Sequence, residues 1–258
     1  MTQHILITGG TSGIGKAIAL RAASAGMAVS ITGLEAETDI SDVLSSLKQA
    51  GAPYCAYFSI DLADGDATRA MVNAAAQAYG GIDILVNNAG IQHVAPIDDF
   101  DVAAWDKVIA VNLSAAFHTT AIALPLMREA GFGRIINIAS VHGLVASAQK
   151  AAYVAAKHGI IGLTKTTALE TAKQTITCNA ICPGWVRTPL VEAQIIARAK
   201  AAGRSAEEEA RLLVSEKQPS ETFVQPEDIA DMVLFLAAPS AHAITGSQFV
   251  MDGGWTAQ

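Results

Sequence analysis

The sequence predicts a single doubly wound α/β domain, a seven-stranded parallel sheet with helices on both faces. Short apolar runs rich in β-branched residues alternate with longer alanine-rich segments of helical period, which is the pattern of repeated strand–helix units. The chain has 258 residues, of which 51% are hydrophobic and only 16% are charged, so it can bury a large core. We therefore expect residues 1–258 to form one domain.

Each strand is predicted from a short apolar run, and each helix from a longer run with helical spacing. The predicted strands are, in chain order, His4–Thr8, Ala28–Thr32, Tyr54–Ile60, Ile84–Asn87, Arg134–Ala139, Thr177–Ile181 and Gln248–Met251. The predicted helices are Gly13–Ala25, Ile40–Ala50, Ala67–Tyr79, Val102–Ala130, Ala151–Ala172 and Pro226–Ala238.

One segment, residues 188–223, interrupts this alternation because it is long, polar and rich in Ala and Glu. We predict that it forms two short helices outside the sheet. A long insertion of this kind is often a lid over an active site, but a solvated helical hairpin would have much the same composition.

Charge and cysteine content narrow the function classes. The formal net charge is −7 and no run of Lys and Arg offsets it, which argues against a nucleic-acid surface. Cys55, Cys178 and Cys182 form no Cys-x-x-Cys pair, so we predict free thiols and no metal site. No export signal precedes the first apolar run, and no uninterrupted apolar stretch reaches membrane-spanning length. We expect a cytoplasmic enzyme acting on small molecules, with no nucleic-acid or membrane partner.

A glycine-rich turn follows the first predicted strand and leads directly into a helix. It reads Thr8-Gly9-Gly10-Thr11-Ser12-Gly13-Ile14-Gly15. Glycines at this position permit a tight turn, a close approach of the backbone to a pyrophosphate, and close packing of helix on sheet. Free N–H groups at the start of the helix attract phosphates, so the turn predicts a dinucleotide site.

Tyr153 and Lys157 are four residues apart on a predicted helix, so they project from one face. A phenol is normally too weak an acid for proton exchange at neutral pH, but a neighbouring cation lowers its pKa. Such a pair suits a catalyst that reduces carbonyls or oxidises alcohols. Taken alone, the two residues would more often be a half-buried tyrosine and a solvated lysine.

Several motifs together resemble the classical short-chain dehydrogenases/reductases over essentially the whole chain. They are the glycine turn, Asn87-Asn88-Ala89-Gly90, Ser140, Tyr153-x-x-x-Lys157 and Pro183-Gly184. The resemblance implies a Rossmann-type fold and a catalytic tetrad of Asn112, Ser140, Tyr153 and Lys157. In this assignment Tyr153 exchanges the proton, Ser140 hydrogen-bonds the reacting oxygen, Lys157 lowers the tyrosine pKa and holds the nicotinamide ribose, and Asn112 positions a water.

The same resemblance implies a nicotinamide dinucleotide site. Its residues would be Gly9, Thr11, Ser12, Gly13, Ile14, Gly15, Leu34, Asp61, Leu62, Asn88, Ala89, Gly90, Tyr153, Lys157, Pro183, Gly184, Val186 and Thr188. A 2′-phosphate would need a cation near the end of the second strand or before the second glycine. Leu34, Glu35 and Ser12 supply none, and Glu35 would oppose the phosphate, so we predict NAD rather than NADP.

Donors near the catalytic pair predict an anionic substrate, because a desolvated carboxylate must be paired. His142 and Lys150 flank Ser140 and Tyr153 in sequence. Residues 88–93, 140–148 and 180–190 resemble the corresponding segments of the bacterial members of the family that interconvert (R)-3-hydroxybutyrate and acetoacetate with NAD. That resemblance implies a small 3-hydroxy or 3-oxo acid bound by Gln92, His142, Lys150 and Gln194, with Trp185 and Trp255 shaping the wall.

Plainer interpretations stay open for these residues: His142 as a loop histidine, Lys150 as a surface lysine, and Trp185 and Trp255 as core or subunit-contact aromatics. A family member acting on a neutral alcohol and a non-catalytic dinucleotide sensor are the competing functions. The sequence argues against acyl transfer through Ser140, since no Gly-x-Ser-x-Gly motif surrounds this serine. The resemblance implies a homotetramer, and the alanine-rich helices would permit its packing.

Overall fold

Seven parallel strands form one sheet in the computed structural model, which describes residues 2–257. The strands are β1 (His4–Ile7), β2 (Ala28–Gly33), β3 (Cys55–Ser59), β4 (Ile84–Asn87), β5 (Gly133–Ile138), β6 (Ile176–Pro183) and β7 (Gln248–Met251). Their order across the sheet is β3-β2-β1-β4-β5-β6-β7. The predicted doubly wound sheet is thus confirmed, and its order reverses between β1 and β4, where open α/β sheets bind ligands.

Helices cover both faces of this sheet. They are α1 (Gly13–Ser24), α2 (Ser41–Ala50), α3 (Gly65–Tyr79), α4 (Val102–Ile109), α5 (Ala115–Ala130), α6 (Ala151–Thr171), α7 (Pro189–Ala202), α8 (Ala206–Ser215) and α9 (Pro226–Ala237). Helix α1 packs between α2 and α9 on one face, and α3, α5 and α6 lie on the other. The result is three layers with the sheet in the middle.

Strand β1 shows how the sequence builds both cores. Ile5 and Ile7 point into the apolar cluster under α1 and α9, and Leu6 points into the cluster under α3 and α5. All three are fully buried, as the two-residue period of a strand covered on both faces requires. Each such side chain contributes about 2 kcal/mol of transfer free energy.

The predicted helix Val102–Ala130 differs from the structure in its middle. Residues 110–114 form a π-helical turn between α4 and α5, and this turn contains Asn112. A π turn adds a residue to the helix and is often found at functional sites. Two tertiary hydrogen bonds between the Asn112 side chain and the main chain of Ile91 stabilise it.

The same helical segment bears on the expectation about membranes. Val102–Ala130 is a 29-residue helical run of mean hydropathy 1.5 in its most apolar window, long and apolar enough to cross a membrane by length and composition alone. In the fold it packs on β4, β5, α3 and α6. In that window 44% of the residues are buried, so contacts with the sheet and with neighbouring helices account for part of its apolar character.

Residues 188–223 form the two predicted helices, α7 and α8, beyond the carboxyl edge of the sheet. They share a small apolar core of their own, which includes Ile195 and Leu213. A parallel β-bridge between Val186 and Val224 closes the base of this segment. The pair of helices is therefore a folded unit joined to the end of β6.

Candidate active site

A cavity of about 400 Å³ opens at the carboxyl edge of the sheet. It runs from the glycine turn after β1 to helix α7 and the C-terminal turn. All of the site residues predicted from the sequence line it except Gly15 and Asn112. Those in its wall are Gly9, Thr11, Ser12, Gly13, Ile14, Leu34, Asp61, Leu62, Asn88, Ala89, Gly90, Gln92, Ser140, His142, Lys150, Tyr153, Lys157, Pro183, Gly184, Trp185, Val186, Thr188, Gln194 and Trp255.

The glycine turn has the backbone that a dinucleotide site needs. Gly9 and Gly13 adopt φ values of 65° and 52°, in the left-handed region that favours glycine. A Cβ on Gly15 would lie 2.1 Å from the Gly9 carbonyl oxygen, so Gly15 serves close packing rather than the cavity wall. Helix α1 starts without a side-chain cap and without an acidic residue in its first turn, so its free N–H groups can receive an anion.

Asn88 joins the turn after β4 to the glycine turn. Its side-chain amide donates to the carbonyl oxygens of Thr8 at 2.9 Å and Gly9 at 3.0 Å. The hydroxyl of Thr8 accepts from the main-chain N–H groups of Asn88 and Ala89. These bonds tie the two strand ends together at the reversal point, where the cavity opens.

Glu35 lines the cavity although the sequence analysis did not assign it to the cofactor site. Its carboxylate accepts a hydrogen bond of 3.1 Å from the Thr11 hydroxyl, and its carbonyl oxygen accepts one of 2.7 Å from Tyr57. A carboxylate at the end of β2 is the group that hydrogen-bonds ribose hydroxyls in dinucleotide sites. Its position in the sequence, two residues after the end of β2, could have identified it as a residue of the cofactor site.

Tyr153 and Lys157 lie on α6 and both face the cavity. The Lys157 ammonium lies 5.6 Å from the centroid of the Tyr153 ring and donates a 2.8 Å hydrogen bond to the Ile138 carbonyl oxygen. Burial lowers the pKa of Lys157 to about 8, and the Cys182 thiol acts weakly in the opposite direction. At neutral pH the lysine is thus still mostly charged.

The pKa of Tyr153 differs from the sequence-based expectation. Burial raises the pKa of its phenol above the ordinary value, and the Ser140 hydroxyl acts in the opposite direction. The predicted lowering of the Tyr153 pKa is wrong for the protein alone, since desolvation of the phenolate is the largest cause of the shift. Tyr153 is therefore protonated at neutral pH and can donate a proton.

Asn112 is placed beside the cavity rather than in its wall. Its side-chain carbonyl accepts from the Ile91 N–H at 2.8 Å, and its NH₂ group donates to the Ile91 carbonyl oxygen at 2.9 Å. The side chain therefore fixes the segment that carries Gln92. The predicted water-positioning role of Asn112 stays a prediction.

Ser140 follows β5 and caps a short 3₁₀ turn, Val141–Gly143. Its hydroxyl accepts from the His142 main-chain N–H at 3.1 Å and lies 3.4 Å from Nδ1 of the same imidazole. Burial, with the positive charge of Lys150 as a second cause, lowers the pKa of His142 to about 4. His142 is therefore neutral, and Lys150 is the charged member of the predicted anion-binding pair.

Aromatic rings form another part of the cavity wall. Trp185 and Trp255 stack with ring centroids 6.3 Å apart, and the Trp255 ring meets the edge of His142 at 5.4 Å. The Lys150 ammonium lies 5.2 Å from the centroid of a Trp185 ring. The Asp252 side chain, which the sequence analysis did not single out, accepts hydrogen bonds from Gly254 and Thr256 and so shapes the turn that carries Trp255.

Gln92 and Gln194 reach the same cavity from two different segments. The main-chain N–H of Ala95 donates to the Gln149 carbonyl oxygen at 3.0 Å, which ties the loop of Gln92 to the loop of Lys150. Gln149 has a positive φ of 65°, uncommon for a residue with a side chain, immediately before Lys150. Gln194 comes from α7 of the inserted segment, which therefore contributes to the wall.

The cavity also has lining residues that no motif marks. They are mostly apolar: Thr32, Gly33, Ile60, Ile91, Lys107, Val111, Ile138, Ala139, Val141, Pro189, Leu190 and Val191. Apolar side chains at strand ends and helix starts carry no motif of their own, so only the fold identifies them as lining residues.

Comparison with known proteins gives a consistent picture. Residues 3–198 match the family described as short chain dehydrogenase. The D-beta-hydroxybutyrate dehydrogenase of Cupriavidus necator is 51% identical over 98% of this chain and 97% of its own length. That of Rhizobium meliloti is 48% identical over the full length of both chains.

Two solved structures superpose closely on this one. A variant of actinorhodin polyketide ketoreductase with NADPH gives a TM-score of 0.91 at 35% identity, covering 98% of this chain and 97% of that chain. Levodione reductase gives a TM-score of 0.90 at 32% identity, covering 99% and 98%. The similarity covers the sheet, the helices and the inserted segment alike.

Proposed function

The chain belongs to the short-chain dehydrogenase family of oxidoreductases, which use a nicotinamide cofactor, and from this premise we propose that it interconverts (R)-3-hydroxybutyrate and acetoacetate with NAD. The observation that carries the proposal is a single cavity that has the Tyr153 phenol, the Lys150 ammonium and the glycine turn in its wall. A proton donor, a cation for a carboxylate and a dinucleotide site are the three parts that this reaction needs.

The chain's own groups fit the cofactor. The glycine turn and the uncapped start of α1 would hold the pyrophosphate, and Lys157 the nicotinamide ribose. When bound, NAD supplies the hydride acceptor for alcohol oxidation. A dinucleotide held there would lie in the cavity at the carboxyl edge of the sheet, whose wall also contains Tyr153 and Lys157 of α6.

Glu35 supports NAD over NADP. Its carboxylate lies in the cavity wall beside Thr11, where it would accept hydrogen bonds from ribose hydroxyls and repel a 2′-phosphate. Neither of the neighbouring residues Leu34 and Ser12 carries a positive charge that could offset it.

Tyr153 is the proposed general acid and base. Its protonated phenol donates a proton to the ketone oxygen in the reducing direction, and the phenolate takes the hydroxyl proton in the oxidising direction. Ser140 hydrogen-bonds the same oxygen, and Lys157, anchored on Ile138, favours the phenolate as it forms. Burial of the cavity wall strengthens each of these interactions.

The acid end of the substrate is proposed to bind at Lys150. A desolvated carboxylate requires a paired charge, and the side-chain amides of Gln92 and Gln194 add donors on the same wall. His142 lines that wall as a neutral ring. Trp185 and Trp255 leave an apolar surface for the methyl end.

The substrate is tested by initial rates of NADH formation with (R)- and (S)-3-hydroxybutyrate and with the methyl ester of the R acid. We expect the R acid to react with a kcat/KM about a hundredfold above that of the ester, since a paired buried charge contributes about 3 kcal/mol. Equal rates for acid and ester would favour a neutral alcohol as substrate and overturn the proposal.

For assembly and location, we propose a cytoplasmic homotetramer without a nucleic-acid or membrane partner. The large apolar side chains of Phe117 on α5 and Leu169 on α6 are exposed in the single chain and would be covered by another subunit. The net charge of −7 opposes nucleic acid, and three free thiols suit a reducing compartment. Light scattering would measure the mass of the assembly, and the mass of a monomer would contradict the proposed tetramer.

A further inference from the structure

Gln218 is a fully buried polar side chain in the inserted segment, just after the end of α8. It is 0% exposed, and its main-chain N–H donates to the Val214 carbonyl oxygen at 2.9 Å. It lies outside the cavity wall, and no sequence motif marks it. Burying a side-chain amide costs free energy unless both of its ends are hydrogen-bonded, so its partners show what it holds in place.

The two ends of the Gln218 amide join two parts of the main chain. Its carbonyl oxygen accepts the main-chain N–H of Trp185, and its NH₂ group donates to the Thr222 carbonyl oxygen at 2.7 Å. Because an N–H can only donate and a carbonyl can only accept, one orientation of the amide satisfies both partners. The carbonyl oxygen of Trp185 accepts from the Val224 N–H at 2.9 Å. The main chain of Trp185 is thus bonded on both sides to the segment that follows α8.

Gln218 also packs against the C-terminal turn that carries Trp255. A Cβ on Gly184 would collide with the side-chain oxygen of Gln218, and one on Gly253 would lie 3.2 Å from its nitrogen. The Ser220 N–H donates to the Gly253 carbonyl oxygen at 3.0 Å. Glycine at both positions therefore leaves room for residues 218–220 between the end of β6 and the C-terminal turn.

Trp185 and Trp255 form the stacked pair in the cavity wall, and Gln218 contacts the main chain that leads into each of them. Hydrophobic pockets distinguish substrates that differ by one methylene by about 10- to 200-fold. Such discrimination requires a wall that does not yield to the larger substrate, and rigid support behind the wall provides it.

We propose that Gln218 is a positioning residue that fixes the Trp185–Trp255 wall and thereby limits the substrate to 3-hydroxy acids that end in a methyl group. This inference rests on the proposed function, because it takes a 3-hydroxy acid as the substrate whose apolar end meets the two indoles. Gln218 acts through these rings and touches neither the substrate nor the cofactor.

The chain-length limit is tested by initial rates with NAD and the R acids of four and five carbons, 3-hydroxybutyrate and 3-hydroxypentanoate. The wild type should favour the shorter acid about thirtyfold in kcat/KM. Gln218→Met keeps the length of the side chain and removes the amide, so the wall should yield. The preference should then fall to about threefold, mainly through a lower KM for the longer acid, with kcat for 3-hydroxybutyrate and KM for NAD within about twofold of the wild type.

Gln174→Met is the matched control, because Gln174 is exposed at the opposite edge of the sheet, before β6. It should keep the wild-type preference. An unchanged preference in Gln218→Met, or an equal loss of kcat with both acids, would overturn the proposal, since general disruption of the fold lowers both rates together. A wild type that uses both acids equally well would also overturn it.

Residue-resolved hydrogen exchange of the full-length protein tests the contact without any substrate. In the wild type the main-chain N–H of Trp185 should exchange as slowly as the bonded N–H of Val224. In Gln218→Met the exchange at Trp185 should become faster while that at Val224 stays slow. Exchange at Trp185 of the wild type as fast as in an unfolded chain would contradict the proposal. Because this readout needs no hydroxy acid, it separates failure of this inference from a failure of (R)-3-hydroxybutyrate to react.

Discussion

The ammonium of Lys157 is fixed by the carbonyl of Ile138, 2.8 Å away, at the end of the strand that leads to Ser140. Helix α6 and strand β5 together therefore set the position of this charge, 5.6 Å from the Tyr153 ring. The catalytic groups stand on rigid elements, whereas Lys150 and Gln194 come from a loop and from the inserted helices. Substitutions of the catalytic groups should therefore change turnover, and substitutions of Lys150 or Gln194 should change substrate binding.

Lys150→Ala should weaken binding of the acid without removing catalysis. Losing one partner of a charge pair in a partly buried site costs about 2 kcal/mol, so KM for (R)-3-hydroxybutyrate should rise about thirtyfold. Initial-rate kinetics at saturating NAD check this. Lys200→Ala removes the same charge from an exposed position on α7 and should leave KM unchanged. An unchanged KM in Lys150→Ala would remove this lysine from the carboxylate site.

Glu35→Ala should narrow the preference for NAD. Removing the carboxylate takes away a hydrogen-bond acceptor for the ribose hydroxyls and a repulsion of the 2′-phosphate. Together these losses should lower the ratio of kcat/KM with NAD to kcat/KM with NADP about tenfold. The ratio is measured with both cofactors at a fixed substrate concentration. Glu37→Ala, an exposed acidic residue outside the cavity wall, is the control. If both variants change the ratio equally, Glu35 has no specific part in cofactor choice.

Periodicity and motif position were enough to predict the parallel sheet and to bring the glycine turn, Ser140 and Tyr153 to one edge. The π-helical turn at Asn112 could not be predicted, because it is stabilised by a tertiary pair of bonds to Ile91 that no local propensity encodes.

The pKa of Tyr153 is a second property that could not be predicted from the sequence. The spacing of Tyr153 and Lys157 indicated attraction between charges, but the extent of burial is set by the folded chain, and here burial dominates. The contact of Gln218 with Trp185 likewise depends on the path of the inserted segment, which motif reasoning does not describe.

His142→Asn should change how stability depends on pH. The pKa of His142 is about 4 in the folded protein against 6.5 ordinarily, so the unfolded chain binds more protons between these values. The neutral imidazole therefore stabilises the fold fully above pH 6.5, and this stabilisation is lost as the pH falls toward 4. Between pH 7 and pH 5 the free energy of unfolding should fall by about 2 kcal/mol. Urea unfolding at both pH values measures the loss.

In His142→Asn that part of the acid sensitivity should disappear, while the exposed His242→Asn keeps it. Identical pH dependence in the wild type and in His142→Asn would show that the imidazole is not held neutral by burial.

Glu209→Gln should loosen the inserted segment. Glu209 is 1% exposed and accepts hydrogen bonds from Arg198 at 2.7 Å and Arg204 at 3.2 Å. Because both arginines are more than two-fifths exposed, the substitution should lower the stability of this segment by only about 1 kcal/mol. If Gln194 is displaced as a result, KM should rise about fivefold. Glu208→Gln on the same helix is the exposed control. Limited proteolysis should cut residues 188–223 faster in Glu209→Gln alone, and equal cutting would exclude this role.

The most direct test is the Tyr153→Phe variant, assayed with (R)-3-hydroxybutyrate and NAD and titrated with NADH by fluorescence. The change removes one hydroxyl and keeps the ring, so turnover should fall at least about a thousandfold while NADH binds as it does to the wild type. A variant that retains a tenth or more of the wild-type rate would contradict the assignment of Tyr153 as the proton-transferring group.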